Sequence, residues 1–342
     1  MRTKENAKFF LGIDVSKLTL DISLVCVEDH QKQAMQYCRL NNSVQGMKQL
    51  EIWLKKNGVL YTDQTLLVIE NTGIYHRLLW SFCSKKGLPV YIGNAADIKW
   101  SFGIARGKND KIDSARLCSY AQKHADDLKA TPALDPELIQ LKDLMTSRNN
   151  LLSGLNSIKV YLKELKGVND KSVQKTLENA YTDALEGLKK SLASIESELN
   201  KIINVNEAFK KTFDLLITVP GIGRLTAIYM ICCTANFAGK ITGKQLASYA
   251  GVVPFENTSG SSIRKRSRLH KMANKELKKM LHLCAMSAIQ HHEEFKQYYE
   301  RKKNEGKNSM SILNAIRNKL VLRAVAVIQK GQPYVNNLQV AA

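Results

Sequence analysis

The chain has 342 residues, too many for one ordinary domain, and an apolar fraction of 44% that suits a globular fold. Its 51 Lys and Arg against 31 Asp and Glu leave a formal charge of +20, an excess that points to a polyanionic partner. No apolar run reaches membrane-spanning length, so no membrane partner is expected, and the N-terminus "MRTKENAKFF" lacks a signal-peptide core. Seven scattered cysteines without a C-x-x-C pair indicate neither a zinc site nor a disulfide framework, and predict a reducing, cytoplasmic setting.

In chain order, residues 8–27 predict two apolar strands around a turn at Val15–Lys17, with a third strand at Met35–Leu40. Val44, Met47, Leu50 and Leu54 fall at helical spacing, and Gly58 suits a C-cap. A strand at 65–70, a helix at 74–86, a strand at 88–93 and a helix at 111–124 follow. Three meandering strands and then β-α units predict a mixed sheet with helices on its faces.

The middle changes period. Positions 141, 144, 148, 151, 155, 158, 162 and 165 are apolar except Arg148, and the spacing recurs from Leu185 to Ile202. Two helices broken near "GVNDKS" form either an antiparallel coiled-coil arm or a pair of ordinary core helices. Pro132 and Pro136 punctuate the entry.

From Phe213 onward, "VPGIGR" sets Gly221 and Gly223 between apolar helices. Such a turn is either a helix-hairpin-helix element whose amides meet a DNA phosphate or a plain tight connection. Residues 254–268 read as a polar Ser/Gly loop that turns basic. Between Arg264 and Lys279 there are eight Lys or Arg and one acid, Glu276. Gly260, Arg264, Lys265, Arg266, Arg268 and Lys271 are therefore candidate nucleic-acid contacts.

The chemistry-bearing acids are few. Asp14 closes the first strand, Glu70 closes a later one, and "NDKIDSAR" places Asp110 and Asp113 on one helix face. An isolated D-x-x-D pair is most simply an acidic first turn. With strand 1 central and the 65–70 strand beside it, however, the two strand ends become neighbours, and a helix on that face delivers the other pair. Four convergent carboxylates are reasonable around two Mg²⁺ ions, hard cations that prefer carboxylate and phosphate oxygens and serve phosphodiester chemistry.

These segments carry a resemblance. "GIDVSK", "VIENTG" and "NDKIDSARL" resemble the RuvC-like (RNase H-like) DEDD domain of the Piv-type invertases and related insertion-sequence transposases. Pro220–Gly223 and the "YAG..P....SG" pattern of Tyr249–Gly251, Pro254, Ser259 and Gly260 resemble that family's C-terminal transposase domain. The resemblance implies an α/β RNase H-like catalytic domain over 1–130, a helical coiled-coil hairpin over 131–210 and a mostly helical transposase domain over 211–342. It implies a prokaryotic, nucleoid-associated, site-specific recombinase that cuts and rejoins target and donor DNA. Asp14, Glu70, Asp110 and Asp113 would hold two Mg²⁺, and Ser259 would be the nucleophile. It further implies a guiding bridge RNA and a homo-oligomer, dimer to tetramer. Three departures are visible: Asn109 and Ser114 beside the acid pair, and Ala273 where glycine is common. The rival reading is a metal-dependent, Holliday-junction type nuclease that uses the same acids with water as nucleophile. A non-enzymatic DNA-binding protein would explain the charge and leave the acids without a reason. An actin-like sugar kinase lacks its second phosphate loop, and Tyr298 and Tyr299 lack the companions of a tyrosine recombinase.

Overall fold

The computed structural model describes residues 8–103, 107, 109–166, 168, 170–259, 263–268 and 273–335, with backbone alone over 255–259 and 263–268. The chain divides into two compact units, Met1–Asp135 and Pro136–Ala342.

In the first unit β1 (Lys8–Val15), β2 (Thr19–Glu28), the two-residue β3 (Gln31–Lys32) and β4 (Gln36–Asn41) meander. Helix α1 (Val44–Lys56), β5 (Thr65–Glu70), α2 (Arg77–Lys86), β6 (Val90–Gly93), α3 (Ala95–Ser101) and α4 (Asp110–Lys123) follow. The sheet runs β3-β2-β1-β5-β6, with β4 also paired to β2. Strands β1 and β2 are antiparallel, whereas β5 joins β1 in parallel, so the sheet is mixed as expected. β1 lies at its centre because its side chains are buried on both faces.

Strand alternation sorts those faces. Phe9, Leu11, Ile13, Leu20, Ile22, Leu67 and Ile69 pack beneath α1 and α2, against Met47, Leu50, Leu54, Leu79 and Cys83. Phe10, Val25 and Val68 pack on the other face against Ile98 of α3 and Leu117, Cys118 and Ala121 of α4. The predicted strands and helices shift by up to three residues, and β3 and α3 have no counterpart among them. That seven-residue helix is too short to show a period; it is started by the Asn94 side chain accepting from the Ala96 amide.

The second unit opens with α5 (Pro136–Leu165) and α6 (Lys171–Val205). Pro136 fits the first helical position, where its missing N–H costs nothing. The two helices form an antiparallel hairpin. Tyr161 meets Tyr181 edge-on at 6.2 Å, and Arg148, the polar break in the heptad pattern, donates to Glu196 at 2.7 Å. The hairpin base joins one large core: Leu138, Leu141, Met145, Leu199 and Ile203 pack with the helices that follow. Those are α7 (Glu207–Ile217), α8 (Arg224–Thr234), α9 (Gly243–Tyr249), α10 (Lys275–His291), α11 (Glu293–Asn304) and α12 (Ser309–Lys330). The segment read as a loop at 254–268 is instead an antiparallel hairpin, β7 (Phe255–Ser259) and β8 (Ile263–Arg268), with a register shift between Phe255 and Asn257. Its Ser, Thr and Arg content hid the strands, because the pairing is carried by backbone and not by an apolar alternation. Among the described residues no helix is long and apolar enough to cross a membrane.

Candidate active site

The first unit assembles the acids through sheet register. Ile13 pairs with Ile69, so Asp14 and Glu70 follow side by side at the ends of parallel neighbours. By alternation both share the face of Phe10, Gly12 and Val68, the face that α4 covers. Gly12 permits that cover. A Cβ on Gly12 would lie 2.0 Å from the Cys118 amide nitrogen and 2.2 Å from the Ser114 carbonyl oxygen. Only a residue without Cβ lets the helix sit this close. Two contacts then hold it: Cys118 Sγ donates to the Phe10 carbonyl at 3.1 Å, and Ser114 Oγ lies 2.9 Å from Ser23 Oγ.

The start of α4 is set by Asn109, whose side chain accepts from the Ile112 amide at 2.7 Å. Asp110 and Asp113 fill the first turn, where the helix dipole favours acids. The departures at Asn109 and Ser114 thus have structural work: one caps the helix and the other fastens it to β2.

Electrostatics reports the convergence. The Asp14 carboxyl is pushed up to about 6 by burial first, then by the charges of Asp110, Asp113, Glu70 and Asp21. Asp21 was not singled out from sequence. It pairs with Asp14 across β1 and β2, is 2% exposed, and accepts a short hydrogen bond from the Tyr37 hydroxyl. That bond is the chief reason the Tyr37 phenol is pushed up to about 12. Arg39 on β4 faces the group, with Nε 3.5 Å from Asp21 and Nη2 3.1 Å from Asp110. Arg116 holds Asp113 at 2.9 Å. Among the described residues no three of His, Cys, Asp and Glu stand close enough to hold one ion together. Asp110 and Asp113 are instead each paired with an arginine, Arg39 and Arg116. The donor set nonetheless suits a hard cation: several carboxylates on one face, one of them raised by burial first and then by the charge of the others. The signal for Asp21 was present in "TLDISLV", where Asp21 and Ser23 alternate with Leu20, Ile22 and Leu24.

In the second unit Ser259 ends β7, paired with Ile263, and Arg264 pairs with Thr258. Lys265 pairs with Asn257 and Arg268 with Phe255, while Arg266 lies between them on β8. Gly260 and Lys271 lie outside the described residues. Gly221 and Gly223 differ in role. Gly221 has φ +82°, and a Cβ there would meet the Cys284 carbonyl oxygen of α10 at 2.6 Å, so its smallness serves packing. Gly223 is exposed at the N-cap of α8, an added Cβ there would meet none of the described residues, and it lines a cleft of about 350 Å³ with Arg224, Thr226, Glu196 and Asn200. Ala273 sits against Gly251, where an added Cβ would come within 2.2 Å of it, so the methyl at this departure fills the turn.

Comparison with known proteins identifies the family. The profile of the Transposase IS116/IS110/IS902 family matches residues 213–300, and a DEDD-type IS110 transposase profile matches residues 11–165. The chain is 29% identical over 340 residues to the pilin gene-inverting proteins of Moraxella bovis and of Moraxella lacunata, covering 96% of this chain and 98% of each relative. It is 24% identical over 141 residues to an insertion element IS110 protein of Streptomyces coelicolor, covering 41% of this chain and 34% of that one. The chain belongs to the IS110/IS116 family of transposases, enzymes of DNA recombination.

Proposed function

We propose that this enzyme is a site-specific recombinase of an insertion sequence, acting through a metal-binding DEDD site and a serine nucleophile. The observation that carries the reading is the shared sheet face of Asp14 and Glu70, with α4 bringing Asp110 and Asp113 within electrostatic reach of Asp14. Those four carboxylates are the groups that would hold two Mg²⁺ ions. Bound there, the ions would supply Lewis-acid stabilisation of a phosphodiester during phosphoryl transfer. Asp14, partly buried and next to Glu70 in the sheet register, would be a central member of that set. Arg39 offsets the excess negative charge while no cation is held.

Ser259, at the tip of β7, would form the covalent link: its Oγ bonds to phosphorus as one P–O ester bond breaks, and the departing strand end takes up a proton. The hairpin cations Arg264, Lys265, Arg266 and Arg268, with Lys271 and Gly260 beyond them, would hold the strand by its phosphates. Gly223 and the amides opening α8 would add a further phosphate contact, and Gly221 shapes that turn. A bridge RNA pairing with target and donor DNA fits a charge of +20, larger than one short DNA contact needs. A dimer pairing into a tetramer fits an exchange between two DNAs. The α5–α6 hairpin would join subunits as a coiled-coil arm, since Val160, Tyr161 and Val173 stay exposed on it.

The test compares Ser259→Ala with Asp14→Ala in a recombination assay and in a denaturing-gel assay for a covalent protein–DNA adduct. Both variants should lose both signals. Normal recombination by Ser259→Ala beside a dead Asp14→Ala would replace the serine mechanism with metal-activated water, as in a Holliday-junction type nuclease.

A further inference from the structure

Helix α12 carries Arg317, Lys319, Arg323 and Lys330 and not one acid in its 22 residues. Arg323 is neutralised, since both its terminal nitrogens bond the carboxylate of Glu294 on α11. Among the described residues Lys319 has no such partner. Its Nζ lies 3.9 Å from the ring centroid of Tyr298, and the Arg301 guanidinium lies 5.7 Å from the same ring. Lys302 stands beside Arg301, and the two share Glu305, at 2.6 Å and 4.0 Å. Lys303 and Lys307 extend the exposed basic edge past the end of α11. Glu294, the acid that attracts Lys319, is already committed to Arg323 and to the Tyr334 hydroxyl. The excess of cations is held on two packed helices, with Phe295 of α11 buried in the core.

Glu294 and Glu305 offset part of the charge of Arg301, Lys302, Lys319 and Arg323, and the remaining excess favours an external anion facing it. Burial, together with Arg323, Arg301 and Lys302, also lowers the Lys319 ammonium. The Tyr298 ring is engaged by cations and is not free to stack a base, so recognition here is of backbone and not of sequence. We propose that the α11–α12 face bearing Lys319, Tyr298, Arg301 and Lys302 is a phosphate-contact surface for duplex DNA, separate from the β7–β8 hairpin. This rests on the recombinase reading for its choice of DNA as ligand.

The test is equilibrium binding of a short duplex of arbitrary sequence, across a salt series in EDTA, so that no chemistry is required. Arg301→Gln, Lys302→Gln and Lys319→Met are measured singly and combined. Each single change should lower the slope of log affinity against log salt by about 0.9, and the triple variant should bind at least roughly tenfold more weakly at low salt. Duplexes of different sequence should lose affinity alike. Arg301 and Lys302 lie on the surface of α11, so their single variants report even where the triple variant fails to fold. Unchanged slope and affinity in those singles overturns the surface, as does a loss confined to an RNA duplex with DNA binding intact. A reduced slope upholds it even if Ser259→Ala recombines normally. An unaltered slope beside a serine-dependent adduct removes the surface and leaves the recombinase reading standing.

Discussion

Ser23 Oγ and Ser114 Oγ, 91 positions apart in the chain, lie 2.9 Å from each other, both fully buried. This bond fastens the helix that carries Asp110 and Asp113 to the strand that carries Asp21. Replacing Ser114 with Ala leaves the Ser23 hydroxyl buried without its partner, which costs about 1–2 kcal/mol. Chemical denaturation should show that loss, while recombination by Ser114→Ala persists below its new melting temperature. A stability equal to wild type would mean the two hydroxyls do not hold the helix.

Gly12 is the tighter constraint. Gly12→Val forces side-chain atoms into the backbone of α4 at Ser114 and Cys118. A cost of about 3 kcal/mol is expected from overpacking. Activity should disappear before the fold does, because the helix and its two acids move off the sheet face. Circular dichroism and a recombination assay at a temperature where the variant stays folded would separate the two losses. Full activity in the folded variant would show that α4 need not sit there.

The charge cluster predicts a pH dependence. Asp14 has a folded value of about 6 against an ordinary 3.8. Folding therefore favours its protonated form, and that contribution is fully present below about pH 4 and lost as pH rises through about 6. Asp14→Asn should remove this dependence and be the more stable protein at pH 7 in EDTA. Mg²⁺ should raise the wild-type melting temperature at pH 7 and leave that of Asp14→Asn little changed. Urea midpoints from pH 4 to 8 check the first expectation, and thermal scans with and without Mg²⁺ check the second. A wild-type midpoint that rose steadily from pH 4 to 7 beyond that of Asp14→Asn would contradict the sign.

Arg317 offers a test of burial. It is 5% exposed, and among the described residues its guanidinium meets the ring of His282 at 2.7 Å while its Nε finds no acceptor. Burial pushes both groups toward their neutral forms. A buried cation without a carboxylate is replaced by an apolar side chain of similar length at little cost or at a gain. Arg317→Met should match or exceed the wild-type urea midpoint, by up to about 1 kcal/mol. A drop of several kcal/mol would reveal an anionic partner for this site.

Most of the first unit's elements and the two long helices are legible in the sequence. Asp14 and Glu70 stand at the ends of runs whose apolar residues mark strands, and the heptads from Leu141 to Leu165 and from Leu185 to Ile202 mark two long helices. Those signals are local, because period and end residues depend only on the neighbours along the chain. Tertiary structure decided the rest. That Asp21 joins the acids follows from its pairing with Asp14 across a ladder, and that Arg39 reaches Asp110 follows from a strand on the far side of β2. The β7–β8 hairpin was hidden because its polar residues pair through backbone. Gly12 looked like one glycine in an apolar strand; its meaning is the close passage of a helix a hundred residues later, a distance between backbones that no pattern of side chains encodes.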